Sequence, residues 1–295
     1  MMTRLFILIA LLAAPGLSQG QCSIQNLAGT YAMFDEGTLL MTPSGSTTVV
    51  PVSTAAIGIG YFDPSGTFTG WIAANDGGDY VELDIVKSTY TVTPDCTLSA
   101  TISLRIKGTT TDPGEATSSC VVDNREPKTF NCLTTKRPGG KAIDHMTWVR
   151  VSPSLNPPPC ALSNLAGTYV VNARGIAMTK QGDSDTPTPV PISYIMQGPV
   201  NEQGKMTGGG SVVMGNQTAE FLIGDASFQL DSFCAGTGKW TLKDKATGVA
   251  MPGEGAEKFV VIQNLEGTII KALPYQGITG TPVGIEHWWR VSQIK

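Results

Sequence analysis

Short alternations of apolar and polar residues, separated by turn formers, run through most of this chain. "AAIGIGYF" (55–62) and "TFTGWIAA" (67–74) flank "DPSG" (63–66). Side chains two apart share one face of a strand, so this pattern predicts hairpins with one face turned to a core. "DPSG" fits a type I turn with proline second and a left-handed glycine at its end. "NDGG" (75–78) closes the next hairpin before "YVELDIV" (80–86), and "STYTVTPDCTLSATISLRI" (88–106) reads as two more strands bent at Pro94-Asp95. Few segments carry a helical period. With an opening strand at Thr30 and a closing one at Met146, the pattern predicts seven or eight antiparallel strands. A small barrel is the natural arrangement, because closure removes exposed strand edges.

The pattern occurs twice. "NLAGTY" stands at 26–31 and again at 164–169, an offset of 138 residues. The same offset aligns Gly66 with Gly204, Thr69-Gly70 with Thr207-Gly208, Glu82 with Glu220, Tyr90 with Phe228 and Cys96 with Cys234. "WVRVS" (148–152) matches "WWRVS" (288–292) once a short insertion is allowed in the second copy. The expectation is an all-β protein of two tandem antiparallel barrels, 21–151 and 160–295, joined by a stiff proline-rich linker at 152–159.

Cysteine spacing repeats as well. Cys22 to Cys96 and Cys160 to Cys234 are each 74 residues apart, which favours those two pairs among the fifteen pairings of six cysteines. Cys120 and Cys132 have no counterparts in the second copy and are expected to pair across a loop of the first.

The N-terminus adds an address. Arg4, the ten-residue apolar run Leu5 to Ala14 and small residues near Gly20 form a secretory signal pattern, with a core too short to anchor in a bilayer. Removing residues 1–20 leaves 19 basic against 24 acidic side chains. With no basic stripe interleaved with aromatics and no basic amphipathic helix, neither a nucleic-acid partner nor membrane insertion is expected. "NQT" (216–218) is a glycosylation sequon, and its alignment with "NDGG" puts Asn216 at an exposed hairpin tip.

An Asn-Leu-x-Gly-x-aromatic opening, with a lone arginine beside an aromatic on the last strand, resembles the calycin group of barrels, the lipocalins and their relatives. Tyrosine stands here where that group has tryptophan. The resemblance implies that Tyr31 with Arg150, and Tyr169 with Arg290, plug the closed end of each barrel, the guanidinium stacking on the ring while its donors satisfy terminal carbonyls. The longer pattern "LAGTY", "G-x-F-x-G", "YTVTPDC" is similar to exported bacterial and fungal proteins with no assigned activity.

Motifs for hydrolysis, phosphate binding or metal ligation are lacking, and no cofactor is expected. His145 and His287 precede the closing arginines and are candidates for the barrel mouths, as ligand contacts or acid/base groups, or else hydrogen-bonded strand-end residues. Glu82 and Glu220, the acidic residues held in register by both copies, are either solvated outer carboxylates or interior acids with raised pKa. Trp71 aligns with Gly209, which would shape the two interiors differently if that face points inward. The functional expectation is a secreted barrel protein that binds a small hydrophobic molecule. A cofactor-independent cyclase or isomerase acting on an apolar substrate, and an extracellular interaction protein, are the alternatives.

Overall fold

The computed structural model describes residues 22–42, 47–125, 128–138, 140–155, 160–180, 187–264, 267–278 and 280–292. The expected signal peptide (1–20) and linker residues 156–159 lie outside the described residues. In the first barrel β1 (Gly29–Met41), β2 (Val50–Phe62), β3 (Thr67–Asp76), β4 (Asp79–Val92), β5 (Thr97–Ile106), β6 (Gly114–Asp123), β7 (Thr129–Lys136) and β8 (Gly140–Ser152) pair in sequence order. β8 then returns to β1, setting Arg150 opposite Tyr31.

The second barrel comprises β9 (Gly167–Thr179), β10 (Thr188–Val200), β11 (Gly209–Met214), β12 (Gln217–Leu230), β13 (Ala235–Asp244), β14 (Gly255–Asn264), β15 (Gly267–Gln276), β16 (Thr281–Val283) and β17 (Glu286–Ser292). β9 pairs with β10 on one side and β17 on the other, so this sheet closes on eight strands, while β16 continues the β17 edge along Ile176–Met178. Both barrels are antiparallel throughout, and three disulfides join Cys22 to Cys96, Cys120 to Cys132 and Cys160 to Cys234.

One loop type is used four times. At Asp63–Thr67 the Gly66 N–H donates to Asp63 O at 3.0 Å and the Asp63 N–H to Thr67 O at 2.8 Å. Equivalent pairs of bonds close 93–97, 201–205 and 231–235. The fourth residue is left-handed in each, with φ 85° at Gly66, 69° at Gly204, 66° at Cys96 and 65° at Cys234. The Pro94-Asp95 step is thus the middle of a tight hairpin loop rather than a strand bend. A side chain in the left-handed region costs about 1–2 kcal/mol, and the disulfides to Cys22 and Cys160 hold these two cysteines in place.

The barrels lie side by side. Ile57, Ile59 and Ala73 on the outer face of the first pack with Val260, Ile262 and Leu273 on the outer face of the second. Polar contacts border this seam: Asn75 Nδ2 donates to Pro282 O at 2.8 Å, the Ile285 N–H to Glu36 Oε1 at 3.0 Å, and Tyr80 stacks on Tyr275 at 4.4 Å. Trp71 belongs to the seam, with Lys258 Nζ 5.6 Å from its ring centroid, so it shapes neither interior.

Candidate functional site

Equal register lets the interiors be compared position by position: Gly29 faces Phe62 as Gly167 faces Val200, and Thr54 faces Asp76 as Ile192 faces Met214. Large rings fill the closed end of the first barrel. Phe62 stacks on Phe68 at 4.6 Å, and Phe130 stacks on Tyr31 at 4.5 Å. In the second barrel Val200, Met206 and Ile270 occupy those three phenylalanine positions.

The other end differs even more. In the first barrel it holds an ion cluster around one guanidinium. Arg137 Nη2 donates to both oxygens of Asp76 at 2.8 and 3.1 Å, Nη1 donates to Thr54 Oγ1 at 2.9 Å, and Asp35 and Asp144 each lie 3.8 Å from Nη1. Burial, and then the Asp144 charge, push the Asp35 carboxyl up to about 7 against the pull of Arg137. The second barrel replaces Asp35, Thr54 and Asp76 with Ala173, Ile192 and Met214. Smaller apolar residues replace rings at one end and charges at the other, and a cavity of about 270 Å³ runs into the barrel.

The wall of that cavity is mostly aliphatic and aromatic: Met196, Phe221, Phe228, Trp240 and Leu242 line it, with Gln217 and Thr218 among its polar residues and Tyr194, Glu257 and Glu286 grouped together. Glu257 and Glu286 are each 1% exposed. Glu286 is held on both oxygens: the Tyr194 hydroxyl donates to Oε1 and Trp288 Nε1 donates to Oε2 at 2.8 Å. Glu257 is held by little. Apart from a proton it can share with the Glu286 carboxyl, neither of its oxygens has a partner among the described residues. A Cβ on Gly238 would come within 2.8 Å of Glu257 Oε1, so the glycine opposite leaves room for the carboxyl.

Burial, then the Glu286 charge, raise Glu257 well above the usual carboxylate range. Burial raises Glu286 too, opposed by hydrogen bonds from Tyr194, Glu257 and Trp288. Burial thus favours a proton on this pair, and more strongly on Glu257, while Glu286 has the hydrogen bonds that suit an anion. In the first barrel the corresponding positions are Ala56, Ser118 and Met146, so this acid pair belongs to the second barrel alone.

The sequence candidates lie elsewhere. His145 is exposed on the outside of the first barrel. His287 sits beside the seam, in contact with Lys271 Nζ and stacked on Trp289, and burial followed by the Lys271 charge lowers it to about 4. Neither histidine lines the cavity, because the acid before each one, Asp144 or Glu286, takes the inward direction. Nor is either repeated glutamate an interior acid. Glu82 lies on the outer face, where burial is outweighed by Lys107, Tyr80 and Lys258 and its carboxyl falls to about 2. Glu220 is exposed and paired with Lys245 at 3.0 Å. Asn216 is exposed at the β11–β12 turn, next to cavity residues Met214 and Gln217.

At the closed ends the tyrosines point inward over short N-terminal turns. Tyr31 Oη donates to Leu27 O at 2.9 Å and Tyr169 Oη to Leu165 O at 2.8 Å. Arg290 lies 5.7 Å from the Tyr169 ring and donates to Asn164 O. Arg150 donates to Asn26 O at 3.3 Å, a carbonyl that also accepts from Lys128 at 2.6 Å. Among the described residues no group of three or more His, Cys, Asp or Glu side chains is arranged to hold a metal ion.

No family model and no curated protein matches the chain. Among solved structures, a candidate outer membrane protein from Bacteroides fragilis is similar at 13% identity and a TM-score of 0.21, covering 92% of this chain and 99% of its own. A protein of unknown function from the DUF3598 family of Nostoc punctiforme is similar at 10% identity and a TM-score of 0.23, covering 92% of this chain and 100% of its own. Neither score is high enough to carry an inference from those proteins, and the chain's own geometry is what assigns it to paired, disulfide-linked antiparallel barrels.

Proposed function

We propose that this is a secreted binding protein whose second barrel takes up a small, mainly apolar molecule. One observation carries the reading: a cavity of about 270 Å³ with an almost wholly apolar wall, in a barrel whose twin is filled with rings and stoppered by ions. That volume is near the ~300 Å³ lower end of ligand pockets, and eight-stranded barrels are wide enough for one small ligand. Three disulfides support the export half of the reading, since such bonds persist in oxidising compartments.

Alternation along β11 supplies the test. Val212 lines the cavity while its neighbour Val213 is 45% exposed on the outside. Titration calorimetry with neutral 2-phenylethanol should show binding that Val212→Trp weakens at least about tenfold and Val213→Trp leaves unchanged, a tenfold loss being ~1.4 kcal/mol. Equal binding by both variants would remove the cavity from the reading.

Glu257 gives specific support to a second reading, acid–base catalysis on an apolar substrate without a cofactor. Two carboxyls side by side on the wall of a largely apolar cavity, with burial favouring a proton on Glu257 more than on Glu286, form the arrangement general acid and base roles need. Chemical change of a bound ligand on incubation, lost in Glu257→Gln, would favour that reading over simple binding.

A further inference from the structure

The acid pair raises a question that an apolar ligand leaves unanswered. Glu257 and Glu286 lie side by side inside the barrel, and the titratable groups that act on them are each other and Tyr194, with Tyr275 beside Glu257. None of these is basic. Glu286 has its two donors from Tyr194 and Trp288, but among the described residues Glu257 Oε1 and Oε2 have no donor beyond the shared proton. Burying a carboxyl without partners costs several kcal/mol. The first barrel shows that the fold itself does not require the pair, since Ser118 and Met146 stand at the matching positions.

We infer that the ligand of the second barrel is a small amine with an apolar body, its ammonium seated between the Glu257 and Glu286 carboxyls. This rests on the binding function proposed above and names the ligand's polar end. An ammonium has three N–H donors and one positive charge. It donates to both idle oxygens of Glu257, turns a third donor toward Glu286 and sets one positive charge between the two carboxyls. An alcohol brings one donor and no charge, and a carboxylate brings a third negative charge into the same space. The hydrocarbon part then lies against Met196, Phe221 and Trp240, residues of the cavity wall.

Entry of the ammonium also changes the proton count. Burial first, and the Glu286 charge second, favour the protonated form of Glu257, and an ammonium between the two carboxyls opposes both. Glu257 then releases its proton, so binding of the amine discharges up to about one proton to solvent. A neutral ligand of the same shape discharges none.

The experiment uses the full disulfide-bonded chain and three molecules of similar shape: 2-phenylethylamine, 2-phenylethanol and phenylacetate. Calorimetric titrations at pH 7.5, in two buffers of different ionisation enthalpy, should find the amine bound at least about tenfold tighter than the alcohol, as hydrogen bonds to charged groups imply. Phenylacetate should bind least. The apparent enthalpy of amine binding should shift between buffers by the amount for about one released proton. Glu257→Gln preserves shape and should reduce the amine's advantage over the alcohol below about threefold and abolish proton release. If wild-type protein binds the alcohol as tightly as the amine, or Glu257→Gln leaves the amine's preference intact, the amine assignment is overturned while the apolar cavity stands. If none of the three molecules binds, both this inference and the binding function fall.

Discussion

Asp35 offers the sharpest test of the electrostatics, because its carboxyl sits in the ion cluster of the first barrel with a pKa near 7 against an ordinary 3.8. Burial is the main cause and Asp144 the second, while Arg137 at 3.8 Å works the other way. A raised carboxyl means that the folded barrel prefers the neutral acid. The stability this confers is fully present below 3.8, falls as pH rises, and is gone above about 7. At ~1.4 kcal/mol per pH unit, the gap corresponds to about 4 kcal/mol, of which about 2 kcal/mol is lost between pH 5 and pH 7.

Asp35→Asn keeps the shape and removes the titration. Urea unfolding at pH 4 to 8, with disulfides intact, should therefore show the variant gaining on wild type as pH rises. The expected difference is under ~1 kcal/mol at pH 4, about 2 kcal/mol at pH 5 and about 4 kcal/mol at pH 7, nearly flat above that. A difference that stays constant from pH 5 to pH 7 would refute the burial argument. A variant less stable than wild type at pH 8 would show instead that Arg137 needs the Asp35 charge more than burial penalises it.

Other expectations follow from single contacts. Arg290→Ala removes a donor from Asn164 O and should cost about 2 kcal/mol, whereas Arg150→Ala should cost about 1 kcal/mol or less because Lys128 also serves Asn26 O; equal melting shifts would contradict this. Glu257→Gln should match wild type in stability only below the ordinary glutamate value of 4.5 and gain on it as pH rises from there, since a carboxyl raised in the folded state loses stability above its unfolded pKa; a gap in urea unfolding that does not widen between pH 4 and pH 8 would contradict the burial of Glu257. Peptide mapping without reduction should recover Cys22 joined to Cys96 and Cys160 to Cys234, and any other partner for Cys22 would be incompatible with this fold.

Strand alternation, turn residues and the 138-residue offset are local or one-dimensional signals, and they were enough to read an all-β chain of two antiparallel barrels and the three cysteine pairs. Alternation says which residues share a face, because period two is a property of the extended backbone itself. It does not say which face is inside when both are buried. β14 shows why: Glu257, Phe259 and Val261 turn inward while Lys258, Val260 and Ile262 turn to the seam, so the run Phe259–Ile262 is apolar on both faces and the adjacent Glu257-Lys258 does not say which of its charges is interior. The same seam drew Trp71 and Glu82 to the outside.

What tertiary structure alone decided is where the charges end up. At "DH" and "EH" the eye goes to histidine, the commoner acid–base group, yet the register of β8 and β17 turns Asp144 and Glu286 inward and the histidines out. Tyr194, Glu257 and Glu286 are separated by 63 and 29 residues in the chain and meet only because β10, β14 and β17 curve around one axis. The chain's local pattern determines the barrels, whereas the hollow in one and the ion plug in the other depend on which distant residues closure brings face to face.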